Sequence, residues 1–202
     1  MIRPMRKEDV PVVVEIHLAS FPGFFLSILG SRFLARLYLS ILTDDRGIAF
    51  VAAENDRLVG FVAGVTRQEG FYKSLVRHHL VAFGFASVGP LLRRPNILGR
   101  LARALRRSAE AAESSAEACL MSIAVSPTTE GRGVGRALVD AFGRALVERG
   151  IDAFCLTTDR DNNDRTNRFY LSTGFTLVRS FVTPDGRAMN EYLKHLDRSD
   201  NA

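Results

Sequence analysis

Gly131, Gly133 and Gly135 alternate with Arg132 and Val134 between an apolar run that ends at Val125 and a helix-periodic run that starts at Val134, with Arg136 just beyond. At a helix start the first four backbone NH groups lack intrahelical acceptors, and the aligned peptide dipoles leave partial positive charge there. Glycine reaches backbone angles closed to other residues and lets a ligand approach the main chain, so this loop is suited to cradle an anion, with two guanidinium groups at its mouth. Pyrophosphate is the ligand such chemistry favours. Further along, Asn163, Thr166, Asn167 and Tyr170 follow the i, i+3, i+4, i+7 rule and share one face of a helix that Gly174 can end.

Two better-known glycine loops are excluded. A dinucleotide fingerprint read from Gly133 needs a third glycine where Leu138 stands, and it opens a series of strand-helix units that this chain lacks. A triphosphate loop needs Gly-Lys before Ser or Thr, and no Gly-Lys pair occurs anywhere in the chain.

The stretch Glu130-Gly131-Arg132-Gly133-Val134-Gly135 resembles motif A of the GNAT (Gcn5-related) N-acetyltransferases, in which Gln or Arg is followed by two residues, Gly, any residue, and Gly or Ala. Glu130 departs from that pattern at its first position. Asn163 to Phe175 resembles motif B of the same family, with Thr166 in place of the usual Ala. The resemblance implies acetyl-coenzyme A as co-substrate, its diphosphate on Gly131, Arg132, Gly133, Val134, Gly135 and Arg136. It places the pantetheine arm along Ile123, Ala124 and Val125. Asn163 is implied either to touch the coenzyme or to cap its helix, and capping alone explains it.

Tyr170 is implied to protonate the departing thiolate. A phenol near pKa 10 and a thiol near 8.5 differ by about 1.5 units, roughly 2 kcal/mol, which one close hydrogen bond offsets. The alternative is that Tyr170 is only a packed aromatic on its helix. Glu117, just before an apolar strand, is the candidate base for the attacking amine, or else a solvated linker charge.

These residues need a scaffold. The expected class is α/β with a mixed sheet, a GNAT-type fold in one domain over residues 1–197, followed by a disordered tail at 198–202. Strands are expected near Ile2, at Gly47 to Glu54 and at Arg57 to Thr66, the last two forming a hairpin through Asn55-Asp56. Helices are expected from Glu8 to Ser20 and from Ser31 to Leu42. Ala118 to Val125, the helix to Arg149 and Ile151 to Thr158 form a right-handed parallel crossover. Phe175 to Val182 and Ala188 to His195 close the sheet as an antiparallel pair.

Between the third and fourth strands lies a basic insertion, 67–116, expected to be helical. Residues 67–107 hold nine Lys and Arg against Glu69 alone, a surplus of eight where the whole chain carries +5. Leu80 to Leu92 is too short and too interrupted by Gly84, Gly89 and Pro90 to span a bilayer. Three readings stay open: a solvated helical hairpin covering the sheet, a lid favouring an anionic acceptor such as a nucleotide-linked sugar, or Ile97 to Arg107 resting on anionic membrane. His78-His79 read as exposed polar residues. The aromatic loop Phe21 to Gly30 is a hinge between helices or, by the resemblance, part of the acceptor side.

With 202 residues, 47% of them hydrophobic, the chain can bury a full core. Cys119 and Cys155 lie in apolar runs and read as reduced core thiols, no metal-ligand spacing occurs, and the charged start of the chain lacks a signal-peptide core. A cytoplasmic N-acetyltransferase is expected, with a small-molecule amine acceptor such as an amino-sugar nucleotide, or a protein or peptide amine. No nucleic-acid partner is expected, and a homodimer is left open. The rival reading is a non-catalytic acyl-coenzyme A binding or membrane-surface module.

Overall fold

The computed structural model describes residues 1–55, 57–71, 115–129, 131–183 and 186–197. Most of the insertion (72–114), with its arginine cluster, His78-His79 and the amphipathic run, therefore lies outside the described residues, as do Asp56, Glu130, Pro184-Asp185 and the tail 198–202.

In chain order the elements are β1 (Ile2–Pro4), α1 (Val10–Ser20), α2 (Phe25–Ile28), α3 (Ser31–Thr43), β2 (Gly47–Glu54), β3 (Arg57–Val65), β4 (Ala118–Val125), α4 (Val134–Val147), β5 (Ala153–Asp159), α5 (Asp164–Ser172), β6 (Thr176–Val182) and β7 (Ala188–His195). The first helix starts two residues later than its periodicity predicts, because Lys7–Asp9 form a 3-10 turn. There the Asp9 carboxylate accepts from the Arg6 amide at 2.7 Å and from both Arg3 nitrogens at 2.7 and 2.8 Å. Within the loop from Phe21 to Gly30 a short helix, α2, forms.

Seven strands make one sheet in the order β1-β2-β3-β4-β5-β7-β6, and every neighbouring pair is antiparallel except β4 and β5. Successive residues of β3 serve opposite faces, as the strand period of two demands. Phe61 and Ala63 pack under α1 and α3 with Val13, Leu34 and Val51. Val62 packs under α4 with Leu138, Phe142, Phe154 and Leu156. Gly143, whose place in a helix costs about 1 kcal/mol against Ala, has a packing reason: a Cβ there would lie 2.9 Å from Leu196 Cδ2.

The parallel pair is short. β4 and β5 are matched only at Ala118↔Phe154 and Cys119↔Cys155, after which their ladder stops. On its other side β4 keeps its pairing with β3, but the register jumps from Gly64↔Leu120 to Ala63↔Ser122, leaving Met121 as a bulge. A bulge bends its strand and increases the local twist. Beyond Cys119, β4 thus follows β3 and leaves β5, opening a wedge in the middle of the sheet. Among the described residues no helix is long and apolar enough to cross a membrane.

Candidate active site

The wide end of the wedge lies under the start of α4. Gly133 is the N-cap of α4 at φ +78° and offers no side-chain cap, so the first-turn amides keep their donors. Gly131 is also left-handed, at φ +82°, and a Cβ at either glycine would meet nothing within 4 Å. Both glycines are therefore required by backbone conformation, and the space before them is open to an anion. Gly135 differs, because a Cβ there would lie 3.1 Å from the Phe169 ring. Its missing side chain lets α4 and α5 approach.

Both motif arginines have protein partners. Arg132 Nη1 lies 3.4 Å from a Glu54 carboxylate oxygen. Arg136 Nη2 donates to the Ser172 carbonyl at 2.6 Å, at the negative end of α5. Val134 is the first residue of α4. Ile123 and Val125 turn their side chains to the α4 face and Ala124 to the α1/α3 face, while their backbone lies past the last rung shared with β5.

Asn163 is the N-cap of α5 but makes no side-chain cap bond, which overturns the capping reading. Its amide instead donates to Thr158 Oγ1 at 2.8 Å and to the Asp159 carbonyl at 2.9 Å. Asn167 reinforces this, donating to the Asp159 and Arg160 carbonyls at 3.2 Å and accepting from the Tyr192 hydroxyl at 2.9 Å. The polar stripe of α5 thereby pins the helix to the end of β5 and fixes the far wall of the wedge.

Tyr170, on the same stripe, is 6% exposed and packs among Phe169, Phe175 and Tyr192. Burial, with Tyr192 and Cys119 nearby, pushes its phenol well above the ordinary tyrosine value. It holds its proton throughout the physiological range. Cys119 is the last β4 residue paired with β5, so the phenol sits near the vertex of the wedge.

Glu117 immediately precedes β4, at the end that pairs with β5. Its carboxylate is 77% exposed and lies 3.4 Å from Arg67 Nε, a solvent-screened pair. Three groupings on the α1/α3 side escaped sequence reasoning. Glu191, 1% exposed, accepts from the Ser115 amide at 2.8 Å, the Ser115 hydroxyl at 2.9 Å and Arg179 Nε. Burial alone raises its pKa, but these donors outweigh burial and hold it below the ordinary carboxylate range. Arg187 grips Asp159 through Nε at 3.1 Å and Nη2 at 2.7 and 2.8 Å, with its guanidinium over the Phe24 ring. The chain end of β5, the β6–β7 hairpin and the aromatic loop meet there. The third grouping links His17, Tyr38 and Ser122. Only His17 carried a signal, as the polar member of the series Val10, Val13, Val14, His17.

His17 has a measurable consequence. Burial lowers its pKa from 6.5 to about 4. The unfolded chain therefore binds the proton more readily, and stability present above pH 6.5 is lost as pH falls towards 4. Between pH 7 and pH 5 the loss is about 2 kcal/mol. Asp9 and Asp44, held below the ordinary range by Arg3 and Arg46, stay ionised across that window. Urea unfolding at both pH values, compared with a His17→Phe variant, should show a slope in the wild type that is absent from the variant.

No cluster of three or more metal-ligating side chains occurs among the described residues. An open helix start at the mouth of a wedge, with a buried phenol near its vertex, is an arrangement that can hold an anionic carrier. The sequence model of the acetyltransferase (GNAT) family matches residues 11–175. The chain belongs to the GNAT family. Among curated protein sequences none matches. Solved structures of similar fold include the ribosomal-protein-S18-alanine N-acetyltransferase from Escherichia coli, at TM-score 0.59 and 18% identity over 100% of this chain and 97% of that one. Ard1 from Thermoplasma volcanium has TM-score 0.63 and 18% identity, over 98% of each chain. An aminoglycoside 6'-N-acetyltransferase complexed with coenzyme A has TM-score 0.62 and 14% identity, over 99% of each. The protein is thus a GNAT acyltransferase, and the carrier its cradle suits is acetyl-coenzyme A, the co-substrate of the family.

Proposed function

We propose that this GNAT enzyme moves an acetyl group from acetyl-coenzyme A to a primary amine by direct attack in a ternary complex. One observation carries the reading: the β4–β5 ladder ends at Cys119↔Cys155, with the open amides of Gly131 to Gly135 at the wide end and the Tyr170 phenol near the vertex. The diphosphate binds the amides at the start of α4. The pantetheine arm pairs with the free edge of Ile123 to Val125, which orients the thioester before reaction. Asn163 acts from behind, by holding α5 in place. The amine nitrogen attacks the carbonyl carbon and the C–N bond forms. As the tetrahedral adduct collapses the C–S bond breaks, the departing sulfur takes the Tyr170 proton, and the second proton shed by the new amide nitrogen returns the phenolate to its neutral form.

A lysine-like amine, at pKa about 10.4, must first shed a proton, which costs roughly 4.6 kcal/mol at pH 7. Glu117 or a water chain receives it. The acceptor is an amino-sugar nucleotide or another small-molecule amine. Relatives named for an aminoglycoside and for a ribosomal-protein alanine mark the small-molecule and peptide alternatives. The test is thiol release from acetyl-coenzyme A with a panel of amino-sugar nucleotides, polyamines and peptide amines. Release that depends on one amine class, fastest with an amino-sugar nucleotide, is expected. Coenzyme A binding without release by any amine would replace the enzyme with an acyl-coenzyme A binding module.

A further inference from the structure

Beneath α1 and α3 a chain of polar side chains reaches β4 just past its bulge. The Tyr38 hydroxyl lies 2.7 Å from His17 Nδ1 and 3.2 Å from Ser122 Oγ. His17, 3% exposed, and Tyr38 are buried, with Phe21 and Phe61 packed on the imidazole. Ser122 is only half-buried. It stands on the free part of β4, opposite Ala63 and beyond the last rung shared with β5. His17 Nε2 is buried without a hydrogen-bond partner.

The 2.7 Å separation fits either partner as donor, since ring NH donors span about 2.7–3.2 Å. With Tyr38 as the donor to Nδ1, the neutral ring carries its proton on Nε2. The lowered pKa of His17, about 4, agrees, since it keeps the ring neutral and its Nδ1 lone pair available at pH 7. With its own proton committed to His17, the Tyr38 oxygen can only accept from Ser122. Ser122 is left with its lone pairs for whatever approaches its half-open side. A hydroxyl whose proton is already engaged is an acceptor, and the substrate group that brings NH donors to this place is the amine.

We propose that Ser122 is the residue that accepts an NH of the attacking amine and aims its lone pair at the acyl carbon, with Tyr38 and His17 as positioning residues behind it. The proposal rests on the acetyltransferase reading above. The chain is not the base, because an imidazolium in this apolar setting is disfavoured, so the amine proton leaves by another route.

The test is steady-state thiol release with the fastest amine of the panel, on the full chain. Ser122→Ala should lower kcat/KM for the amine about ten-fold, the value of one hydrogen bond, and leave the KM for acetyl-coenzyme A within about two-fold. Ser122→Thr keeps a hydroxyl and should recover most of the loss. Tyr38→Phe should give a smaller loss, confined to the amine term. Nitrogen NMR should find His17 as the Nε2–H tautomer. An unchanged amine kcat/KM in Ser122→Ala, a loss shared equally by both substrates, or an Nδ1–H tautomer would overturn the proposal while leaving the acetyltransferase reading intact. A wild type from which no amine of the panel releases thiol would sink both.

Discussion

Tyr170→Phe should lower kcat by about 100-fold or more while the KM for acetyl-coenzyme A stays within about three-fold. The substitution removes one oxygen and keeps the ring that packs against Phe169, Phe175 and Tyr192. The walls of the wedge and the cradle are then unchanged, so coenzyme binding has no reason to weaken. What is lost is the proton for the leaving sulfur. Burial raises the phenol, which makes it a weaker acid, but the same dry surroundings penalise a thiolate, so the two remain matched. Because the phenol gains little by being buried, thermal stability should hold or rise slightly in the variant. Unchanged kcat would reduce Tyr170 to a packed aromatic.

How much of this was legible in the sequence depends on the range of the interactions involved. The elements were readable because each rests on a local signal: Val134, Leu138, Ala141 and Phe142 mark α4 by their period, and the Val-, Ala- and Phe-rich runs 47–54 and 57–65 on either side of Asn55-Asp56 mark a hairpin. The cradle was readable for a related reason, since a left-handed residue before a helix needs glycine whatever the rest of the fold does. The wedge was not. It depends on a one-residue register jump at Met121, and nothing in the run Ala118 to Val125 distinguishes a bulged strand from a regular one. The capping alternative for Asn163 fails because its partners, Thr158 and Asp159, belong to another element that only the tertiary fold brings near. Glu191 and the His17–Tyr38–Ser122 chain were missed because their polar atoms are satisfied across 76, 21 and 84 residues of sequence.

The opposite of a local signal is Gly64, and it carries the largest stability effect. Nothing around it in the sequence reads as a turn or a cradle; it lies inside β3, where glycine is ordinarily a weakness. Its position facing the bulge explains it. A Cβ there would collide with the Cys119 carbonyl and lie 2.7 Å from the Phe142 ring. Neither neighbour can retreat: the carbonyl belongs to the last stretch of β4 held on both sides, and Phe142 is fully buried in the centre of α4. Gly64→Ala should therefore destabilise the fold by about 3 kcal/mol or more, a fall of roughly 6–12 °C in Tm for a domain of this size. Gly133→Ala makes the informative contrast. There the added Cβ meets open space, and only the left-handed backbone objects, at about 1–2 kcal/mol. It should leave most of the Tm while weakening coenzyme A binding, because the cradle amides re-aim. In Gly64→Ala, relieving the ring contact with Phe142→Leu should restore part of the Tm but not all, since the backbone carbonyl remains in the way. A Gly64→Ala protein that melts like the wild type would mean that β4 is not held against β3 at the bulge, and the wedge would lose the physical reason for its opening.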